Sequence, residues 1–226
     1  MHSHLTRVFL ACVMFAGSAA WSSAAQAQKS VPRGGGAVKI KVPRQSSAPG
    51  VHPPLPADLE RVRAALDKYQ DPVVAIHDGY FSTLGCVNIP HAGQPGHMPY
   101  RPGAMGVHFL NPNLISSTLD PMRPQVLLYE PVDGGKLGLV GAEWFVPLAT
   151  GVKERPQIFG QPFWGPMEGH HPVMPTSLYH YDLHVWLFKE NPYGVFAATN
   201  PAVKCDGYPY AMQLEAPLLV PEPTNR

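Results

Sequence analysis

The sequence predicts an α+β domain: a small antiparallel β-sheet or barrel, with one or two N-terminal helices against it and long Pro/Gly-rich loops. Three observations predict this class. A single stretch with helical apolar spacing opens the folded part. After residue 80, runs of aromatic and β-branched residues alternate with Pro and Gly, of which the 226-residue chain holds 27 and 21. One turn signal, Asp133-Gly134-Gly135, joins two such runs as a hairpin, because these residues tolerate positive φ.

At the N-terminus, Arg7 is followed by an apolar run over 8–21 and then by small residues ending in Ala25-Gln26-Ala27. That order is the pattern of a secretory signal, with cleavage expected after Ala27. A membrane-spanning helix needs about twenty apolar residues, and the run stops short of that. The expectation is an exported chain, periplasmic or secreted, whose mature part has no stable membrane insertion. Residues 28–56 are rich in Pro, Gly and Ser and carry Lys29, Arg33, Lys39, Lys41 and Arg44 with no acidic residue. They read as a flexible basic linker, since they lack the apolar content that offsets ordering entropy.

The chain has 17 Lys+Arg and 16 Asp+Glu. Removing 1–27 takes only Arg7, and removing 28–56 takes five more basic residues. That leaves 11 basic against 16 acidic residues in 57–226. A mildly acidic domain argues against nucleic acid as the partner and leaves a small-molecule ligand or substrate.

The folded part, 57–226, opens with Leu59, Val62, Leu66 and Tyr69 at helical spacing, which predicts an amphipathic helix over 57–69. Asp71-Pro72 starts a second short helix and Gly79 ends it. Beyond these, strands are expected at 106–110, 125–130, 137–146, 178–188 and 195–197. Long loops at 86–104 and 150–176 are expected to cover the mouth or rim of the sheet. Exposed strand edges leave a homodimer open. The mature chain keeps two cysteines, Cys86 and Cys205; an even count in an oxidising compartment predicts one disulfide, worth roughly 4 kcal/mol for so long a loop.

Eight of the 11 histidines fall in the folded part: His77, His91, His97, His108, His170, His171, His180 and His184. The segment from His180 to Trp186, read as a strand, places His180, Asp182, His184 and Trp186 on one face and Tyr181, Leu183 and Val185 on the other. Residues four apart on a strand are about 13 Å apart, so Asp182 chelates naturally with one or other of its histidine neighbours. His108 and Glu143, ionisable residues inside apolar strands, are the candidates to complete the site, and His170 joins them from a Met/His-containing loop. Glu130 reads as a strand-end charge. The expected ligand set is therefore His108, Glu143, His180, His184 and His170, with Asp182 as the catalytic candidate, orienting a ligand or acting as base. The cofactor expected is a divalent transition metal. Imidazole with carboxylate suits zinc, iron or manganese. The thioethers of Met98, Met167 and Met174 beside histidines bring in copper, so copper and zinc lead. No serine-hydrolase elbow, phosphate loop, dinucleotide fingerprint or His-Glu-x-x-His helix is present.

Several segments carry a resemblance. These are Gly79-Tyr80, Met105-Gly-x-His108-Phe-x-Asn111-Pro112, Leu127-Leu-Tyr-Glu130-Pro131, Phe159-Gly-Gln-Pro-Phe163, the run from His180 to Trp186, Asn191-Pro192, Asn200-Pro201 and Cys205. With them the chain resembles an uncharacterised family of exported bacterial proteins over nearly the whole folded part, and the resemblance implies no activity. Cupins are a weaker likeness, since His-x-x-x-His with Asp182 between replaces their His-x-His. Two functions remain: an exported metal-binding domain, enzymatic or not, and a non-catalytic periplasmic protein binding a small apolar ligand between Trp144, Phe163, Trp164 and Trp186.

Overall fold

A computed structural model of the chain describes residues 54–223. The expected signal segment at 1–27 and the expected linker up to residue 53 lie outside the described residues.

Helix α1 spans Ala57–Leu66 and continues as a 3-10 turn over Asp67–Gln70, with Leu59, Val62, Leu66 and Tyr69 buried as their spacing predicts. Asp71 caps the short helix α2, Pro72–His77, by accepting from Val73 N at 2.9 Å. Gly79, at φ +93°, then turns the chain into the sheet. Among the described residues nine strands follow: β1 Phe81–Ile89, β2 Gly103–Leu110, β3 Val126–Val132, β4 Lys136–Pro147, β5 Gln157–Ile158, β6 Gln161–Pro162, β7 Trp164–Met167, β8 His180–Val185 and β9 Ala211–Gln213. Seven of them form one sheet in the order β7-β8-β4-β3-β2-β1-β9, while β5 and β6 pair as a separate ribbon.

The architecture is α+β and rich in β, and the sheet is curled into a half-barrel. It is mixed, where an antiparallel sheet was expected, because β9 runs parallel to β1. The disulfide gives the physical reason. Cys86 in β1 is bonded to Cys205, with Cα atoms 5.6 Å apart, which brings the following segment alongside β1 so that Cys86 faces Ala211. After β9 the chain crosses toward the opposite edge. Leu214 N donates to Asn88 O at 2.9 Å in β1, and Val220 N donates to Pro166 O at 3.0 Å in β7. One strap thus holds both edges of the curled sheet.

The hairpin β3–β4 turns at Asp133–Gly135, as its residues predict. Two expected strands change. The segment 195–197 is loop, and its carbonyls serve the end of β8 by accepting from Trp186 N at 2.9 Å and Trp186 Nε1 at 2.6 Å. The expected strand over 178–188 narrows to β8. Cys86–Ile89 belongs to β1 instead of the loop expected over 86–104, and β5, β6 and β7 occupy part of 150–176.

The three Asn-Pro pairs share one structural task. Asn111, Asn191 and Asn200 each accept the backbone N–H two residues on, at 3.1, 3.0 and 2.9 Å. Each also donates its amide to a carbonyl elsewhere: Asp78, Thr199 and Glu190. They are Asx turns that fix loops.

The main core lies between α1 and one face of the sheet, where Leu59, Val62 and Leu66 belong to the same buried cluster as Leu127, Trp144, Tyr181, Leu183 and Val185. Tyr129 donates its hydroxyl to Tyr69 O at 2.8 Å and ties the sheet to the helical segment. A full burial of each such aliphatic side chain stabilises by roughly 1.5–3 kcal/mol. Gly106, at φ +86° within β2, lets that strand approach β3 closely; a Cβ there would lie 2.4 Å from Tyr129 O. Among the described residues, no helix is long and apolar enough to cross a membrane.

Candidate metal centre

Strand β8 alternates as its sequence predicts. Tyr181, Leu183 and Val185 point into the helix-side core, and His180, Asp182 and His184 point to the opposite, inner face. All three polar residues are almost fully buried, at 0%, 1% and 0% exposure. Sheet register decides their partners. His184 sits opposite Glu143 of β4, Asp182 opposite Phe145 and His180 opposite Pro147. Glu143 in turn faces Val126, and His108 comes from the adjoining row of β2, opposite Leu128.

The structure thereby divides the expected ligands, with the catalytic candidate Asp182, into two groups, each with its ligand atoms within 4.8 Å of one another: His108, Glu143 and His184, and His170, His180 and Asp182. In the first, Glu143 Oε2 is 3.5 Å from His108 Nε2 and 3.8 Å from His184 Nε2. Ligands about 2.0–2.2 Å from a tetrahedral ion stand roughly 3.4 Å from each other, so these spacings suit a shared cation. In the second, Asp182 Oδ2 is 4.0 Å from His180 Nε2, and His170 arrives from the loop after β7. Asp182 Oδ2 is also 4.0 Å from His184 Nδ1, so it lies between the groups.

Seven buried side-chain nitrogen or oxygen atoms among the described residues have no protein hydrogen-bond partner, and six of them belong here. They are Glu143 Oε2, His170 Nε2, His180 Nε2, Asp182 Oδ1 and both ring nitrogens of His184; the seventh is Arg63 Nη1. Each such orphan costs about 1–3 kcal/mol, and clustering concentrates that cost at one place. His180 shows the orientation typical of a ligand. Its Nδ1 lies 3.0 Å from Leu178 O; with Nδ1–H donating there, the Nε2 lone pair is turned toward Asp182. The Trp186 ring stacks near His184, centroids 6.3 Å apart, and Phe145 flanks His180 at 4.8 Å.

Burial sets the protonation of the group. It lowers His108 and His180 to about 4. His170 and His184 are held well below the ordinary histidine value by burial and by neighbouring imidazoles. Burial lifts Asp182 to about 8, and burial together with Asp182 holds Glu143 well above the usual carboxyl range. Near neutral pH the histidines are uncharged, so their contacts with the carboxyl groups are not ion pairs. Neutral imidazole is the form that binds metal.

A cavity of about 400 Å³ opens onto the first group. Its walls include Phe81, Leu110, Val126 and Phe145 from the sheet and Met174 from the loop after β7, and His108, Glu143 and His170 also line it. The remaining sequence candidates lie elsewhere. His77, His91 and His171 are exposed. His97 sits with Nδ1 2.5 Å from Ala216 O and anchors the C-terminal strap. Met98 packs in a second apolar cluster, and Met167 accepts the Tyr100 hydroxyl at 3.0 Å through its sulfur. Glu130 pairs with Lys189 at 2.6 Å through both carboxyl oxygens.

The four aromatic residues expected to share an apolar site do not. Trp144 and Phe163 are fully buried core residues, and Trp164 and Trp186 donate to Phe196 O and Ala197 O. The cavity walls use Phe81 and Phe145 instead. Nothing in the sequence marks those two, because lining a cavity depends on sheet register and loop placement.

The chain finds no match among protein-family models, curated proteins or solved structures.

Proposed function

We propose that this is an exported metal-binding domain, in which His108, Glu143 and His184 hold a divalent transition metal at the base of a loop-covered pocket. The observation that supports it is the concentration of unpartnered ligand atoms on the inner face of β8 and β4. Two imidazoles and one carboxylate form a donor set used by zinc hydrolases and non-haem iron enzymes. Met98 and Met167 are engaged elsewhere, which favours zinc or iron, while Met174 in the cavity wall keeps one thioether in the pocket and copper among the candidates. If the site is catalytic, the metal would supply activation of water or dioxygen toward a small, largely apolar molecule held in the cavity of about 400 Å³. Asp182 would act here as a positioning group, its carboxyl 4.0 Å from His184 Nδ1 and linked to that ring through a bridging water instead of a direct hydrogen bond.

The export reading joins the signal pattern at 1–27 to the Cys86–Cys205 disulfide, a bond that persists in oxidising compartments. Periplasmic material whose N-terminus is Gln28 is the expected product.

Elemental analysis of tag-free protein, purified without chelator beside Glu143→Gln, tests the metal reading. Bound metal in the wild type, reduced in the variant, is expected. A wild type that stays metal-free after incubation with zinc, iron, manganese and copper overturns it. The cavity favours the second reading, a non-catalytic carrier of a small apolar ligand. Tight binding of such a ligand by a wild type that takes up none of these metals distinguishes that reading.

A further inference from the structure

The first group accounts for His108, Glu143 and His184 and leaves outside it His170, His180 and the unpartnered Oδ1 of Asp182. We infer that these three hold a second cation, linked to the first through the His184 ring. The inference rests on the metal reading above and deepens it.

Geometry separates the two positions. His180 and His184 are four residues apart on a strand, about 13 Å along the backbone, and their rings meet different partners. His184 Nε2 is 3.8 Å from Glu143 Oε2, whereas His180 Nε2 is 4.0 Å from Asp182 Oδ2. A single ion cannot take both Nε2 atoms together with both carboxylates.

Chemistry completes the second position. His170 Nε2, His180 Nε2 and Asp182 Oδ1 are all buried and without a protein partner, and the three residues are 7%, 0% and 1% exposed. The Leu178 carbonyl beside His180 Nδ1 leaves that ring's Nε2 as an electron-pair donor. Behind His170 stands Tyr100, ring centroids 6.3 Å apart, with its hydroxyl committed to Met167. The set is again two imidazoles and a carboxylate, suited to a divalent first-row ion.

The two positions differ in access by degree. The first meets the cavity through His108, 17% exposed through its side chain, and Glu143, whereas the second meets it through His170, with His180 and Asp182 sealed. The more open position suits chemistry and the more closed one suits structure. The second cation would order Asp182, whose Oδ2 lies 4.0 Å from His184 Nδ1, a gap that a bridging water spans.

Titration of metal-free protein with Co(II), followed by visible absorption and by metal analysis after gel filtration, tests this. The wild type is expected to bind two ions per chain in two spectral steps, and His170→Asn and Glu143→Gln one each, by losing different steps. His170 belongs to a loop, so its replacement leaves β8 intact; should His170→Asn not fold, the near-isosteric Asp182→Asn serves, with loss of the same step expected. One ion in the wild type, two in the loop variant, or none in that variant overturns the second position. Retention of a single ion that Glu143→Gln removes leaves the proposed function standing, whereas a wild type that binds none removes both.

Discussion

The two faces of β8 are equally buried and chemically opposite. Tyr181, Leu183 and Val185, each 0% exposed, pack into the helix-side core. His180, Asp182 and His184 are as deeply enclosed, yet four of their polar atoms lack a protein partner. Apolar burial explains the first face by itself, since removing such surface from water stabilises. The second face opposes folding unless something compensates. The contrast teaches that burial marks the core on one side of a strand and a site on the other.

Breaking the apolar side produces the largest stability loss. Leu183→Ala is expected to cost about 2–5 kcal/mol, read as a lower urea midpoint, while metal content per folded molecule stays unchanged. Substitution on the inner side moves the other way. Glu143→Leu removes a buried, unpartnered carboxyl oxygen, and the metal-free protein is expected to gain about 1–3 kcal/mol as it loses the first metal. Urea unfolding of metal-free wild type and variant checks the sign.

Acidity sharpens the comparison. Asp182, raised to about 8, keeps in the folded state a proton that the unfolded chain releases above its ordinary value. The stability it contributes is present at low pH and is lost as pH rises to about 8. His108 and His180 are lowered to about 4, so their contribution is present above about 6.5 and is lost as pH falls through 4. Metal-free protein is therefore expected to be most stable between about pH 6 and 7, and bound metal flattens the alkaline decline by neutralising the carboxylates. Thermal unfolding across pH 4–9, with and without zinc, measures both limbs.

The smallest effect belongs to the carboxylate outside the cluster. Lys189→Ala, which breaks the part-exposed pair with Glu130, is expected to cost about 0–1 kcal/mol and to leave metal uptake unchanged.

Local order was legible in the sequence. The spacing of Leu59, Val62 and Leu66, the cap at Asp71, the turn at Asp133-Gly134-Gly135 and the parity of His180, Asp182 and His184 all follow from a few neighbouring residues. Whatever depends on long-range register was not. The division of the ligands requires knowing that Glu143 faces His184. The parallel strand β9 has three residues and no alternation to announce it, and its placement beside β1 follows from Cys205 reaching Cys86. The segment 195–197 has strand-like composition but is carried by a turn at Gly194 to the end of β8, where it accepts hydrogen bonds from Trp186.

The most direct test of the metal centre is a crystal of the zinc- or iron-loaded protein, with anomalous diffraction recorded on both sides of that metal's absorption edge. The account predicts an anomalous peak bounded by His108 Nε2, Glu143 Oε2 and His184 Nε2. Loaded crystals with no peak on the inner face of β8 and β4, or with metal only at surface histidines such as His91 or His171, would contradict it.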